Sequence, residues 1–157
     1  MHYCAAMKPT PGNWTRISSA LYYQDAAKAI DWLCRAFGFQ VRLKIEGEGG
    51  KIEHSELEYG PDGLIMVSEE SSPRRPEATH RRSPRSLDGV NTQSLMLYVD
   101  DAIAHCEHAR AAGAKILSEP KVSDYGEDYW SDRSYECEDL EGHRWWFCER
   151  LRDPKPR

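Results

Sequence analysis

SSALYYQDAAKAIDWLCRAFG, residues 18–38, reads as a short strand running directly into an amphipathic helix. Side chains alternate across a strand, so Ile17, Ser19, Leu21 and Tyr23 share one face, and Ser18, Ala20 and Tyr22 the other. Asp25 supplies an N-cap oxygen for the free amides of the first helical turn. Ala26, Ile30, Leu33 and Phe37 recur at helical spacing, and Gly38 fits the position just past the helix end. The chain says this twice. A shift of 76 positions (18 to 94) carries Ser18, Leu21, Tyr22, Asp25 and Ala26 onto Ser94, Leu97, Tyr98, Asp101 and Ala102. The second copy, SLMLYVDDAIAHCEHARAAG, ends at Gly113.

Each helix is followed by strand patterns. Phe39, Val41, Leu43 and Ile45 alternate with Gln40, Arg42, Lys44 and Glu46, and GEGG at 47–50 turns the chain. Residues 51–59 and 64–69 are predicted to pair about Gly60-Pro61-Asp62-Gly63, with Tyr59 opposite Leu64, Leu57 opposite Met66 and Ser55 opposite Ser68. That register turns His54, Glu56 and Glu58 away from Met66. In the second copy, Asp100 or Asp101 caps the helix, and residues 115–123 hold a strand interrupted by Pro120. Residues 124–132, DYGEDYWSD, form a polar, aromatic loop. Residues 133–138 and 144–149 then pair about Asp139-Leu140-Glu141-Gly142, with Cys137 opposite Arg144, Tyr135 opposite Trp146 and Arg133 opposite Cys148. The expected divisions are a flexible N-terminus (1–12), a first strand–helix–three-strand module (13–69), a Pro/Arg-rich linker (70–92), a second such module (93–149) and a flexible tail (150–157). Arg74, Arg75, Arg81, Arg82 and Arg85 make the linker basic, and a solvated connector is expected there rather than an anion-binding arm.

A net charge of −5 on 157 residues disfavours a nucleic-acid partner. Cys4, Cys34, Cys106, Cys137 and Cys148 are too few and too scattered for a disulfide scaffold or a zinc site; Cys34 and Cys106 are read as small core residues, and a disulfide between Cys137 and Cys148, on consecutive strands, is the minor alternative. The opening MHYCAAMKPTPGNW holds no long apolar run, and no stretch resembles a membrane span, so a cytoplasmic protein is expected. His105 and His108 are read as a solvated helix surface, and His143 as exposed in its turn.

The duplicated module resembles the vicinal oxygen chelate superfamily, which groups glyoxalase, bleomycin-resistance and dioxygenase proteins. The likeness covers about residues 13–149 and is carried by LYYQDAAKAIDWLCRAFGF, LYVDDAIAHCEHARAAGA and DLEGHRWWF, the last similar to the family's Asp-Pro-x-Gly turn with Leu140 in place of proline. It implies an α+β fold: two βαβββ modules forming curved mixed sheets around a concave cleft, helices on the convex side, often as a homodimer. The family's enzymes hold a divalent metal with side chains from the first and last strands of each module. Carried over residue by residue, those positions fall on Ser18, Met66, Ser94 and Trp146. An alcohol binds such a metal weakly, and an indole nitrogen has no lone pair to give. The chain is identified as a metal-ligand-deficient member, with no metal and no cofactor expected.

By strand parity, Ser18, Tyr22 and Met66 from the first module are expected to line the cleft. The second contributes Ser94, Met96, Tyr98, Arg144 and Trp146, joined by Arg133 and Tyr135 if the hairpin register holds. Aromatic rings, Met side chains and guanidinium groups suit a small, partly aromatic or apolar organic ligand. The leading expectation is therefore a binding protein. The alternative is a glyoxalase-like lyase or isomerase, or a dioxygenase-like enzyme, using displaced metal ligands such as His54, Glu56 and Glu69, or metal-free acid–base residues among Tyr22, Tyr98 and Arg144. A third reading is an interaction module with a filled cleft and the Arg-rich loop as its contact.

Overall fold

The computed structural model describes residues 8–10, 12 and 14–156. Most of the expected flexible N-terminus, and Cys4, lie outside the described residues. The first module runs β1 (Ser19–Tyr23), α1 (Ala26–Phe37), β2 (Gln40–Glu46), β3 (Ile52–Tyr59) and β4 (Gly63–Glu69). The second repeats it with β5 (Ser94–Tyr98), α2 (Ala102–Ala111), β6 (Lys115–Asp124), β7 (Ser131–Glu138) and β8 (Arg144–Arg152). Each module is one four-stranded mixed sheet, ordered β1-β4-β3-β2 and β5-β8-β7-β6, in which the first strand pairs parallel to the last. The fold is α+β, as the family resemblance implies.

The helices form where the sequence places them. Asp25 accepts from Lys28 N, Gly38 takes the left-handed conformation at φ 86°, and Asp101 accepts from Ile103 N and Ala104 N. A second carboxylate serves each helix start: Glu69 Oε1 accepts from Ala26 N at 3.3 Å, and Glu149 Oε2 from Ala102 N at 3.0 Å. Both acids stand on their module's last strand, Glu69 at its end and Glu149 within it, where the partial positive charge of the helix start favours an anion. Glu69 is thus a structural cap on the helix-covered face; burial pushes its carboxyl up, against hydrogen bonds that pull it down.

The apolar stripe of α1 does not serve its own sheet alone. The Phe37 ring lies 5.2 Å from Trp145 and 4.9 Å from Phe147, both on β8. Trp32 Nε1 donates to Ala112 O at 2.8 Å. One buried cluster therefore joins Leu21, Tyr23, Leu33 and Phe37 to Cys106, Tyr135, Trp145 and Phe147. Removing the Phe37 ring would cost about 3–5 kcal/mol and open this joint first.

The closing hairpin binds the modules a second time. Asp139 is buried and accepts from Tyr23 OH at 2.6 Å, Trp145 Nε1 at 3.1 Å, and the amides of Glu141 and His143 at 3.0 Å each. Glu141, also buried, accepts from Gln24 N, Asp25 N and Ser83 Oγ. The His143 ring is buried rather than exposed, its Nε2 3.0 Å from Tyr22 O.

Both hairpin registers differ by one residue from expectation. Tyr59 pairs with Gly63 and Leu57 with Ile65, which sets Glu56 opposite Met66. Cys137 pairs with Trp145 and Tyr135 with Phe147, which sets Glu136 opposite Trp146 and Arg133 opposite Glu149. Burial decides the matter: Leu57, Tyr135, Cys137 and Phe147 are all fully buried against the helices. β6 runs straight through Pro120, which sits at an irregularity on the sheet's edge, where a missing amide costs no ladder bond. The linker is tied down as well. Its short 3-10 turn (Pro84–Leu87) is held by Ser83 N and Ser86 Oγ donating to Glu70, and by Asn91 Nδ2 donating to Gly142 O.

Candidate functional site

Each sheet has a face covered by helices and an open face. On β1 the helix side takes Leu21 and Tyr23, which leaves Ala20 and Tyr22 outward. On β5 and β8 the alternation is sharper: Trp145 and Phe147 are 1% and 0% exposed, whereas Met96, Tyr98 and Trp146 are 47%, 49% and 38% exposed. The repeat holds in the pairing, since Ala20 lies opposite Met66 and Met96 opposite Trp146.

Of the residues expected in the cleft, Tyr22 and Met66 lie on the open face of the first sheet, with Ser18 just ahead of it. Ser94, Met96, Tyr98, Arg144 and Trp146 lie on that of the second. Arg133 and Tyr135 do not. The register shift turns both to the helix side, where Arg133 pairs with Glu149 at 3.1 Å and Tyr135 is wholly buried with its hydroxyl 2.6 Å from His105 Nδ1. Burial, then the charge of Cys137, pushes the Tyr135 phenol far up, so it stays neutral. His105 is likewise not a solvated surface residue: its ring lies 4.4 Å from Phe147, and burial pulls its imidazole down.

The same shift brings new groups to the open faces. His54, Glu56 and Glu58 now share Met66's side. Glu56 is buried, 3.2 Å from His54 Nε2 and 3.3 Å from Arg42 Nε. On the second sheet Arg150 stacks 5.3 Å over Tyr98 and 5.9 Å over Trp130, and donates to Asp132 at 2.6 Å. Sequence reasoning missed Arg150 because it fell in the expected tail, although its parity with Arg144, Trp146 and Cys148 marks it. Glu138 pairs with Lys115 at 3.0 Å and Arg144 at 3.7 Å, so part of the positive charge is balanced.

The four positions that the family resemblance marks for a metal, Ser18, Met66, Ser94 and Trp146, carry two hydroxyls, a thioether and an indole. Ser18 Oγ is engaged with Thr15 Oγ1 at 2.8 Å. This donor set does not fit a divalent transition metal. Among the described residues, Cys106, Glu107 and Glu119 group closely enough to suggest an ion, but Arg110 already pairs with Glu107 at 3.5 Å and Glu119 at 2.7 Å. No helix of the described residues is long and apolar enough to cross a membrane.

Two paired, duplicated modules with this strand order define a class of proteins, and residues 15–147 match the model of the Glyoxalase/Bleomycin resistance protein/Dioxygenase superfamily, to which the chain belongs. It is 28% identical over 137 residues to an uncharacterized protein of Mycobacterium bovis, covering 87% of this chain and 84% of that one. Among solved structures it is similar to TioX from Micromonospora sp. ML1, at 29% identity and a TM-score of 0.64, over 89% of this chain and 100% of that one. It also shares its fold with TnmS3, an antibiotic binding protein from Streptomyces sp. CB03234, at 17% identity and a TM-score of 0.60, over 92% and 99% of the two chains.

Proposed function

We propose that the protein captures a small, partly aromatic or apolar organic molecule on the open faces of its sheets, with no metal or cofactor, as a homodimer. One observation carries this reading: Met96, Tyr98 and Trp146 stay 47%, 49% and 38% exposed, whereas Trp145 and Phe147 on the other face of β8 are packed to near zero and Leu95 and Leu97 on that of β5 are partly buried. Large apolar side chains gathered on an open face mark a surface meant to be covered. Leu43 and Ile45, 40% and 44% exposed on β2, give the first sheet the same character. Since helices and core occupy the opposite sides, a second copy laying its second sheet near the first sheet of its partner would enclose a cleft lined from both. TnmS3 binds an antibiotic; at 17% identity that likeness speaks for the fold, and the ligand class here rests on this chain's own residues.

Light scattering on an eluting column tests the dimer, with a twofold mass expected. Tryptophan fluorescence titrations with bleomycin and a panel of planar polycyclic compounds test capture. A binder should quench the wild type, and Trp146→Ala should weaken it at least tenfold while melting unchanged. Silence across the panel, or a Trp146→Ala variant that binds normally, would sink the idea. Stoichiometric zinc, nickel or manganese in the purified protein would overturn metal independence.

A second reading, a lyase or isomerase of the glyoxalase type or a dioxygenase-like enzyme, draws support from the His54–Glu56 pair. An imidazole oriented by a carboxylate can serve as a general base. Turnover lost on His54→Ala but kept on Trp146→Ala would favour it.

A further inference from the structure

A cavity of about 360 Å³, with none of Met96, Tyr98 and Trp146 in its lining, lies between β1, the Arg-rich linker and β5. Its apolar wall includes Ala20, Leu87, Val90 and Leu95; its polar wall includes His80 and Arg82. The chain carries 26 Asp and Glu residues, yet none lines this cavity. The carboxylates of the region are spent elsewhere. Glu70 accepts from Ser83 N and Ser86 Oγ, and Glu141 from Gln24 N, Asp25 N and Ser83 Oγ.

The cationic side is correspondingly under-neutralised. Arg82 meets Glu70 only at 3.7 Å and half exposed, a distance at which an ion pair is weak. Arg81 has no ion-pair partner among the described residues, and its Nε is buried without a hydrogen bond. Its guanidinium instead stacks 5.1 Å over Tyr22, whose ring lines the cavity. A buried orphan donor carries a desolvation cost, which an anionic acceptor would remove. A second cavity of about 330 Å³ adjoins through the shared Arg82 and adds Arg75, Arg81, Ser72 and Thr79, together with Glu70, whose carboxylate already accepts from Ser83 N and Ser86 Oγ.

We propose that these two adjoining cavities form a binding site for a small organic acid, a carboxylate or phosphate ester whose apolar body rests against Leu87, Val90 and Leu95 in the first while its anion reaches Arg82, which both share, and Arg81 of the second. Tyr22 borders both this site and the open face of the first sheet, but neither Met96, Tyr98 nor Trp146 lines it, so binding here and at the Trp146 surface can fail separately. Matched probes test it: 2-naphthoate, 2-naphthyl phosphate and neutral 2-naphthamide, each titrated by calorimetry and by amide shift mapping. Binding of at least one acid is expected, at least tenfold tighter than the amide, with shifts centred on Ala20, Arg82, Val90 and Leu95. The tighter acid tells carboxylate from phosphate ester. Arg81→Gln/Arg82→Gln should lower acid affinity at least tenfold and leave the amide unchanged. Val90→Trp touches no ion pair and should block the cavity, while Trp146→Ala should leave acid binding intact. Equal binding of acid and amide, shifts confined to Met96, Tyr98 and Trp146, or no acid binding at millimolar concentration would each overturn the proposal.

Discussion

Replacing Asp139 by alanine removes the acceptor for four donors at once. Two are buried side chains: the Tyr23 hydroxyl, 0% exposed, and Trp145 Nε1, on a residue 1% exposed. Each orphaned donor costs about 1–3 kcal/mol, so the pair alone sums to about 4 kcal/mol. For a chain of this size that lowers the melting temperature by roughly 8–16 °C. Tyr23→Phe removes one hydrogen bond to a charged group but orphans nothing buried on the tyrosine side, and should cost only about 2 kcal/mol. In the double variant the phenyl ring has no hydroxyl left to orphan, so its loss should fall about 1–3 kcal/mol short of the sum of the singles. Urea unfolding of the four proteins closes the cycle. An Asp139→Ala loss below about 1 kcal/mol, or strict additivity, would refute the assignment of Asp139 as the shared acceptor.

The same contacts set the pH limits of the fold. Burial, then Asp139, raises the Tyr23 phenol well above 10.0, so the folded state holds that proton more tightly than the unfolded one. Its contribution is whole below about pH 10 and is lost as pH rises; the alkaline slope of stability should flatten in Tyr23→Phe. His105 is the reverse case. Burial lowers its imidazole from 6.5, so its contribution is present above that value and is lost as pH falls below it, and His105→Gln should remove that acid slope. Cys137 and Cys148 are pushed up to about 12 and about 11 by burial first, so at pH 8 both should react with a thiol reagent only after unfolding. A rapid native reaction of either would contradict their placement. Gly38→Ala should cost about 1 kcal/mol from the φ of 86° alone, because Tyr59 leaves room for the added methyl at 4.0 Å.

The strand–helix corner and its repeat were legible because capping and periodicity agree there. Leu21, Tyr23, Ile30, Leu33 and Phe37 all reach the core as the spacing predicts. The hairpins were harder for a physical reason. Leu64, Ile65, Met66 and Val67 are apolar at both parities, as are Trp145, Trp146 and Phe147, so alternation could not say which set is buried. Only contact with the helices decides it, and that contact is non-local. One slip per hairpin then misplaced Tyr135 and Arg133 and hid Glu56 and His54. The tight packing of the linker was invisible for a related reason: its partners Glu141 and Gly142 lie more than fifty residues away.

The turn at Asp139 and Glu141 also makes the two repeats unequal. The first relies on acids carried by the second to satisfy Tyr23 and the amides of Gln24 and Asp25, and among the described residues no side chain of its own hairpin does that work. A chain severed in the linker would give halves that complement each other in trans, with the earlier half the more dependent. Gene duplication here has yielded an interlocked pair, so loss of either piece disarms both.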